Sequence, residues 1–271
     1  MTVPIYQVDA FADRRFAGNP AAVVVLESYP ADSTLQDIAA ENNLAETAFI
    51  VPQGEDYRLR WFTPTIEVPL CGHATLASAA VVLERLWPGR GKVVFHTASG
   101  ALTVERIDGG YRMDFPVRRT SPAELPGLSK ILGVDVVEEV ADDSRNFIAQ
   151  LASAAQVRSL APDLAAIAKL DSAGLIVTAR GDVDSDVAAG GDAGFDFVSR
   201  YFAPGHGIPE DPVTGSAHCS LAYYWSQRLG KTAFRAFQAS PRGGVVLCRL
   251  EGERVILEGS CVFYLEGHIT F

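Results

Sequence analysis

Two stretches of this chain repeat one another, and a fold built by duplication constrains architecture more tightly than any single motif. The segment from Leu59 to Leu86 resembles the one from Ser199 to Leu229. Each opens with Arg-aromatic-Phe-x-Pro, as Arg60-Trp61-Phe62-Thr63-Pro64 and as Arg200-Tyr201-Phe202-Ala203-Pro204, and then reaches a Gly followed by a small-residue segment. From that Gly onward the copies keep one register, 143 positions apart, pairing Gly72 with Gly215, Ala74 with Ala217, Ala79 with Ala222, Arg85 with Arg228, Gly100 with Gly243, Arg106 with Arg249 and Gly109 with Gly252. A chance alignment seldom holds one register that long.

Thr75 to Leu86 is rich in Ala, Leu and Val with almost no polar face, the pattern of a helix buried on most sides. Strand-like runs flank it in each half: Ala21–Leu26, Lys92–His96, Leu102–Ile107 and Tyr111–Phe115, then Gly244–Leu250 and Val255–Glu258, with turns at Asp108-Gly109-Gly110 and Glu251-Gly252. The expected fold is α+β, with two similar lobes related by duplication, each a barrel-like sheet wrapped around a central helix. Pro, Ser and Thr cluster between Pro116 and Pro126, which places the boundary there. Residues 1–117 form the first lobe, completed by the C-terminal strand 260–271, residues 118–259 form the second, and the active-site cleft is expected between them.

With 271 residues, 48% of them apolar, the chain can bury one large core or two modest ones. Acidic residues outnumber basic ones, 33 to 23, and no Lys/Arg run offers a phosphate-tracking face, so nucleic acid is not an expected partner. Met1-Thr2-Val3-Pro4-Ile5 does not read as a leader, and no stretch reaches the roughly 20 apolar residues of a membrane span, which gives a cytoplasmic expectation. Cys71, Cys219, Cys248 and Cys261 show no CxxC spacing, so neither a metal site nor a redox pair is expected. Asp182, Asp184 and Asp186 mimic the start of a calcium loop, but Val187 and Ala193 stand where that loop needs Gly and Glu, so the stretch reads as a solvated loop. Nucleophile-elbow, dinucleotide, Walker and HExxH patterns do not occur, and His218, two positions from Ser216, points elsewhere on its presumed helix.

In both halves a loop ending in Gly-(His or Ser)-Ala leads into the buried helix. A helix N-terminus carries unpaired N–H groups and the positive end of the dipole, and attracts anions. Two such ends converging on one cleft would suit a small carboxylate.

Five strings, Gly18-Asn19-Pro20-Ala21, Asn43-Leu44-Ala45-Glu46-Thr47-Ala48-Phe49, Phe62-Thr63-Pro64, Glu67-Val68-Pro69-Leu70-Cys71-Gly72-His73-Ala74 and Glu210-Asp211-Pro212-Val213-Thr214-Gly215-Ser216-Ala217, closely resemble the PhzF (phenazine biosynthesis-like) family. Gln238-Ala239-Ser240-Pro241-Arg242-Gly243-Gly244 fits as well, and together the strings run through nearly the whole chain in order. The resemblance implies a fold of diaminopimelate epimerase type and a cofactor-independent isomerase. It also implies a homodimer and, as catalytic residues, Glu46, the acid/base, with His73 and Asp211. Asn19, Gly72, Gly215 and Ser216 are then expected to hold the substrate. Leu44, Ala45, Ala48 and Phe49 around Glu46 give it an apolar setting of the kind that suits a proton-carrying carboxylate.

Other roles stay open at this level. Glu46 could be a surface residue near a strand start, Asp211 could cap the turn before Pro212, Ser216 could be a helix N-cap and Asn19 could serve its turn. Relatives of the family, diaminopimelate epimerase and proline racemase, use two opposed cysteines. Here Cys71 precedes Gly72, but its repeat partner is Thr214, whose hydroxyl is too weak a base to replace a thiol. A two-thiol racemase is therefore disfavoured. A one-thiol epimerase of an amino or hydroxy acid using Cys71, and a non-catalytic binder of small carboxylates, remain as alternatives.

Overall fold

The computed structural model describes residues 1–181 and 194–271. The calcium-loop comparison at Asp182, Asp184, Asp186, Val187 and Ala193 lies outside the described residues. The chain divides into two compact units, Met1–Asp114 with Glu258–Phe271, and Phe115–Leu257.

The first unit runs β1 (Thr2–Ala10), β2 (Asn19–Val25), α1 (Asp32–Asn42), β3 (Glu46–Gln53), β4 (Asp56–Phe62), β5 (Glu67–Val68), α2 (Gly72–Val81), β6 (Lys92–Thr97), β7 (Gly100–Ile107) and β8 (Gly110–Pro116). The second runs β9 (Ser121–Pro122), α3 (Leu128–Leu132), β10 (Glu139–Asp142), β11 (Asn146–Gln150), α4 (Ala154–Ser159), α5 (Leu164–Ile167), β12 (Gly174–Arg180), β13 (Phe197–Ala203), β14 (Ile208–Asp211), α6 (Gly215–Leu229), β15 (Ala233–Gln238), β16 (Gly244–Glu251) and β17 (Arg254–Gly259). The last strand, β18 (Cys261–Thr270), returns to the first unit and pairs antiparallel with β1 from Thr2↔Thr270 to Ala10↔Cys261.

Strand pairing repeats element for element. In the first unit β1/β2 is antiparallel, β2/β3 parallel, β3/β4 and β4/β5 antiparallel, β4/β6 parallel and β6/β7 antiparallel. The second unit gives the same sequence of senses for β10/β11, β11/β12, β12/β13, β13/β14, β13/β15 and β15/β16. The duplication read from residue spacing is thus a duplication of topology.

Each unit encloses one helix. Every residue of α2 from His73 to Val81 is buried, and the helix packs against β1, β2, β3, β7 and β18. It begins three residues before the expected Thr75, because Cys71 takes an extended cap conformation, and it widens into a π-helical turn over Val82–Leu86. The opposite face of the first sheet carries its own core, where Leu35, Ile38 and Ala39 of α1 meet Val24, Phe49, Val51 and Phe62. In the second unit Leu128, Leu132, Val157 and Ile167, from the three short helices α3 to α5, fill the corresponding place against Leu175, Val177 and Phe202.

The copies also share individual bonds. Thr75 Oγ1 donates to the Cys71 carbonyl, and at the equivalent turn His218 Nδ1 donates to the Thr214 carbonyl at 2.8 Å. Arg60 forks onto Glu67 with two 2.7 Å bonds, and Arg200 forks onto Glu210 at 2.7 and 2.8 Å. Each fork ties the strand carrying the Arg-aromatic-Phe motif to the short strand leading into the buried helix, so it sets where that helix starts.

The two forks differ in burial. Arg60 and Glu67 are 22% and 41% exposed, whereas Arg200 and Glu210 are 10% and 16% exposed, and Arg200 Nη1 also donates to the carbonyls of Val157 and Leu160. Removing one member of a desolvated pair leaves the other charge buried, at a cost of about 3 kcal/mol, against about 1 kcal/mol or less for a screened pair. Arg200→Met is therefore expected to lower the urea midpoint clearly more than Arg60→Met. Equal losses would show that the second fork is not desolvated.

Candidate active site

Glu46 is the first residue of β3, three positions after the left-handed Asn43 that caps α1. It is buried, 8% exposed, so the surface reading does not hold. Strand alternation sends Glu46, Ala48 and Ile50 to one face and Thr47, Phe49 and Val51 to the other. Phe49 and Leu44 accordingly pack with the α1-side core, so two of the four apolar neighbours expected around the carboxylate face away from it.

The imidazole of His73, at the second position of α2, meets that carboxylate. His73 Nε2 lies 3.1 Å from Glu46 Oε2, with the side chains 5% and 10% exposed. The approach is close enough for an ion pair yet off the line of a hydrogen bond, so both atoms are buried without an aligned partner. On the other side of the ring, His73 Nδ1 is 3.1 Å from Asn19 Nδ2 and 3.5 Å from Cys71 Sγ. Asn19 heads β2 and is fully buried. Gly18 before it sits at φ +64°, where a Cβ would stand 2.2 Å from the Ala10 carbonyl oxygen, so only glycine lets the chain deliver Asn19 to the histidine.

Desolvation opposes protonation of His73, but the Cys71 sulfur and the Glu46 carboxylate outweigh it and hold the imidazole well above its ordinary 6.5. The Cys71 thiol is itself pushed up to about 11, by burial first and by Glu46 second. A doubly protonated ring needs an acceptor at Nδ1, which Asn19 supplies by presenting its amide oxygen; with the amide nitrogen there, the one proton of a neutral ring sits on Nε2, facing Glu46. The amide orientation and the charge of the ring are coupled. Cys71, His73 and Glu46 also offer ligand atoms within 4.8 Å of one another, a donor set a zinc ion could use, but binding would require the thiol to lose its proton and His73 to be neutral.

In the second unit the matching loop is organised around a different group. Gln238, fully buried, accepts from the Thr214 N–H at 2.8 Å and donates to the Asp211 carbonyl at 2.7 Å and to Thr214 Oγ1 at 3.1 Å. Thr214 in turn donates its hydroxyl to Asp211 Oδ2. Asp211 therefore does brace its turn, and the bracing aims its carboxylate. The N-cap of α6 is Thr214, not Ser216, which occupies the second helical position next to Gly215. His218 is buried beside Phe197, and burial lowers its pKa to about 4.

Strand register identifies what the second copy has lost. Thr47 pairs with Phe62 and Leu175 with Phe202, so Gly174 is the counterpart of Glu46. A Cβ on Gly174 would stand 2.5 Å from the Tyr201 ring, which fills that space. Gly174, Thr214 and Ser216 thus replace Glu46, Cys71 and His73, and Asp211 stands where the first copy has Val68. Sequence reasoning missed Gln238 as the organiser of the Asp211 loop, and missed Trp61, a fully buried indole whose Nε1 has no partner.

The raised His73 pKa has a definite sign in stability. A group raised above its unfolded value contributes fully below pH 6.5 and loses that contribution as pH rises through the folded value. The gap in denaturation midpoint between the wild-type protein and His73→Gln is expected to be widest near pH 6 and to narrow toward pH 10. A gap that widens with pH would exclude a protonated His73.

The profile of the PhzC-PhzF family, phenazine biosynthesis-like proteins, matches residues 8–267. An uncharacterized isomerase of Pseudomonas aeruginosa is 47% identical over 268 residues, covering 98% of each chain. The crystal structure of a PhzF-family protein from Enterococcus faecalis superposes with a TM-score of 0.92 at 41% identity, covering 100% of both chains. A probable proline racemase from Agrobacterium radiobacter shares the fold at 11% identity, with a TM-score of 0.60 over 99% of this chain and 93% of that one. This chain belongs to the PhzC/PhzF family of phenazine biosynthesis-like proteins.

Proposed function

We propose that this protein is an isomerase that moves a proton between two carbons of a small carboxylate-bearing substrate, with Glu46 as the carrier and no cofactor. The observation that carries this is the pair of buried atoms, Glu46 Oε2 and His73 Nε2, 3.1 Å apart and neither in an aligned hydrogen bond. A carboxylate so placed can take a proton from a C–H bond, with the electron pair passing into the substrate's conjugated system, and return it at another carbon. His73 holds charge opposite Glu46 and biases which of the two keeps the proton. The backbone N–H groups of Gly72 and His73, at the start of a wholly buried helix, suit a substrate carboxylate. Asp211 is assigned a catalytic role and Asn19, Gly215 and Ser216 substrate binding, and a homodimer is expected, on the family likeness alone.

Cys71 fits a one-thiol epimerase poorly. Its thiol is pushed up to about 11 and would have to surrender a proton to begin the reaction. The Pseudomonas aeruginosa relative, named an uncharacterized isomerase, agrees with either chemistry.

Incubation in D2O with hydroxyanthranilate-like, amino-acid and hydroxy-acid carboxylates, followed by proton NMR, tests the proposal. Exchange at one C–H position is expected, falling about 10³-fold in Glu46→Gln and staying within several-fold in Cys71→Ala. Activity that survives Glu46→Gln but not Cys71→Ala would establish the epimerase. Binding without exchange would establish a non-catalytic carboxylate binder.

A further inference from the structure

Resting on the Glu46 proposal, we infer that Trp61 is a specificity-determining residue, whose indole N–H donates to an oxygen of the substrate on the same face of the sheet as Glu46. Trp61 lies on β4 opposite Ala48 of β3. Residues two apart on a strand share a face, so Trp61 and Glu46 are diagonal neighbours on the face away from α1, a separation an aromatic side chain can span. Trp61 is 1% exposed, and its Nε1 is buried without a hydrogen-bond partner.

Native interiors leave few polar atoms unsatisfied, and each one calls for an explanation. Those in the first unit include Glu46 Oε2, His73 Nε2 and Trp61 Nε1: a carboxylate, an imidazole and a donor that can only donate. The repeat supplies the control. Tyr201 is the counterpart of Trp61, and its hydroxyl donates to Asn146 Oδ1 at 3.0 Å. Where the second copy has lost the groups matching Glu46 and His73, the polar tip of this aromatic residue is satisfied from within. Where the first copy keeps them, it is not. A donor retained in that state on the sheet face that carries Glu46 selects a ligand carrying an acceptor oxygen, whether a carboxylate or a ring hydroxyl.

The chain has 3 tryptophans, so its indole N–H signals are few enough to resolve by ¹⁵N NMR, with Trp61→Phe identifying the relevant one. Benzoate, anthranilate and 3-hydroxyanthranilate serve as probes, titrated into the catalytically disabled Glu46→Gln protein as well as the wild type. A downfield shift of the Trp61 N–H proton is expected. A shift with all three assigns the carboxylate as the acceptor, and a shift with 3-hydroxyanthranilate alone assigns the hydroxyl. Replacing Trp61 with 3-benzothienylalanine, which exchanges N–H for sulfur in the same shape, is expected to weaken binding of the shifting probe about tenfold. Saturation by a probe with the Trp61 signal unmoved overturns the inference and leaves Glu46 untouched, whereas a shift accompanied by exchange that survives Glu46→Gln does the reverse. If no probe binds, the thermal midpoint decides. The benzothienyl variant should match or exceed the wild type while Tyr201→Phe falls below it, and a loss as large as that of Tyr201→Phe shows that the N–H serves the fold.

Discussion

A helix that is apolar on every side has no stable place at a protein surface, so strands must enclose it. For α2 that enclosure sets the rest of its unit. The strands must come at it from several directions, which alternating parallel and antiparallel pairing achieves, and the N-terminus of the helix must emerge where a loop can reach it. Among the described residues, that emergence point is where a thiol, an imidazole and a carboxylate share a buried environment. Electrostatic contacts there gain strength from the low dielectric that makes them expensive to assemble.

The second unit repeats the enclosure but assigns the helix mouth a different task. Its cap residue is a threonine that passes a hydrogen bond from Gln238 to Asp211, and its counterpart of Glu46 is a glycine overlaid by Tyr201. Duplication therefore preserved what topology needs, namely the Arg–Glu fork, the helix start and the strand senses, while the carboxylate, thiol and imidazole of Glu46, Cys71 and His73 stayed in one copy. The two buried histidines illustrate the divergence. His73, opposite a carboxylate, is raised in pKa, while His218, at the position of Thr75 and among aromatic rings, is lowered to about 4 by burial.

Much of the fold is legible in the sequence, because the features that specify it are periodic. The Ala-rich stretch after Gly72, the alternating strands and the Asp108-Gly109 turn announce themselves locally, and the constant spacing between copies reports the duplication. The Cys71–Thr214 correspondence read from that spacing matches two helix caps. The correspondence of Glu46 with Gly174 did not emerge that way. It lies upstream of the aligned stretch and follows only from cross-strand register, which hydrogen bonding between distant segments decides.

The sequence by itself determined the two-copy α+β architecture and the family, since these rest on local propensity, patterning and motif strings. The tertiary structure alone decided that Glu46 is buried, that its oxygen meets His73 off the hydrogen-bond line, that Leu44 and Phe49 turn to the opposite core, and that Trp61 keeps an unpartnered N–H. Those outcomes depend on which side of a pleated sheet a residue occupies once its partner strands are chosen. Pairing between residues far apart in sequence fixes that choice, and no local stretch of sequence contains it.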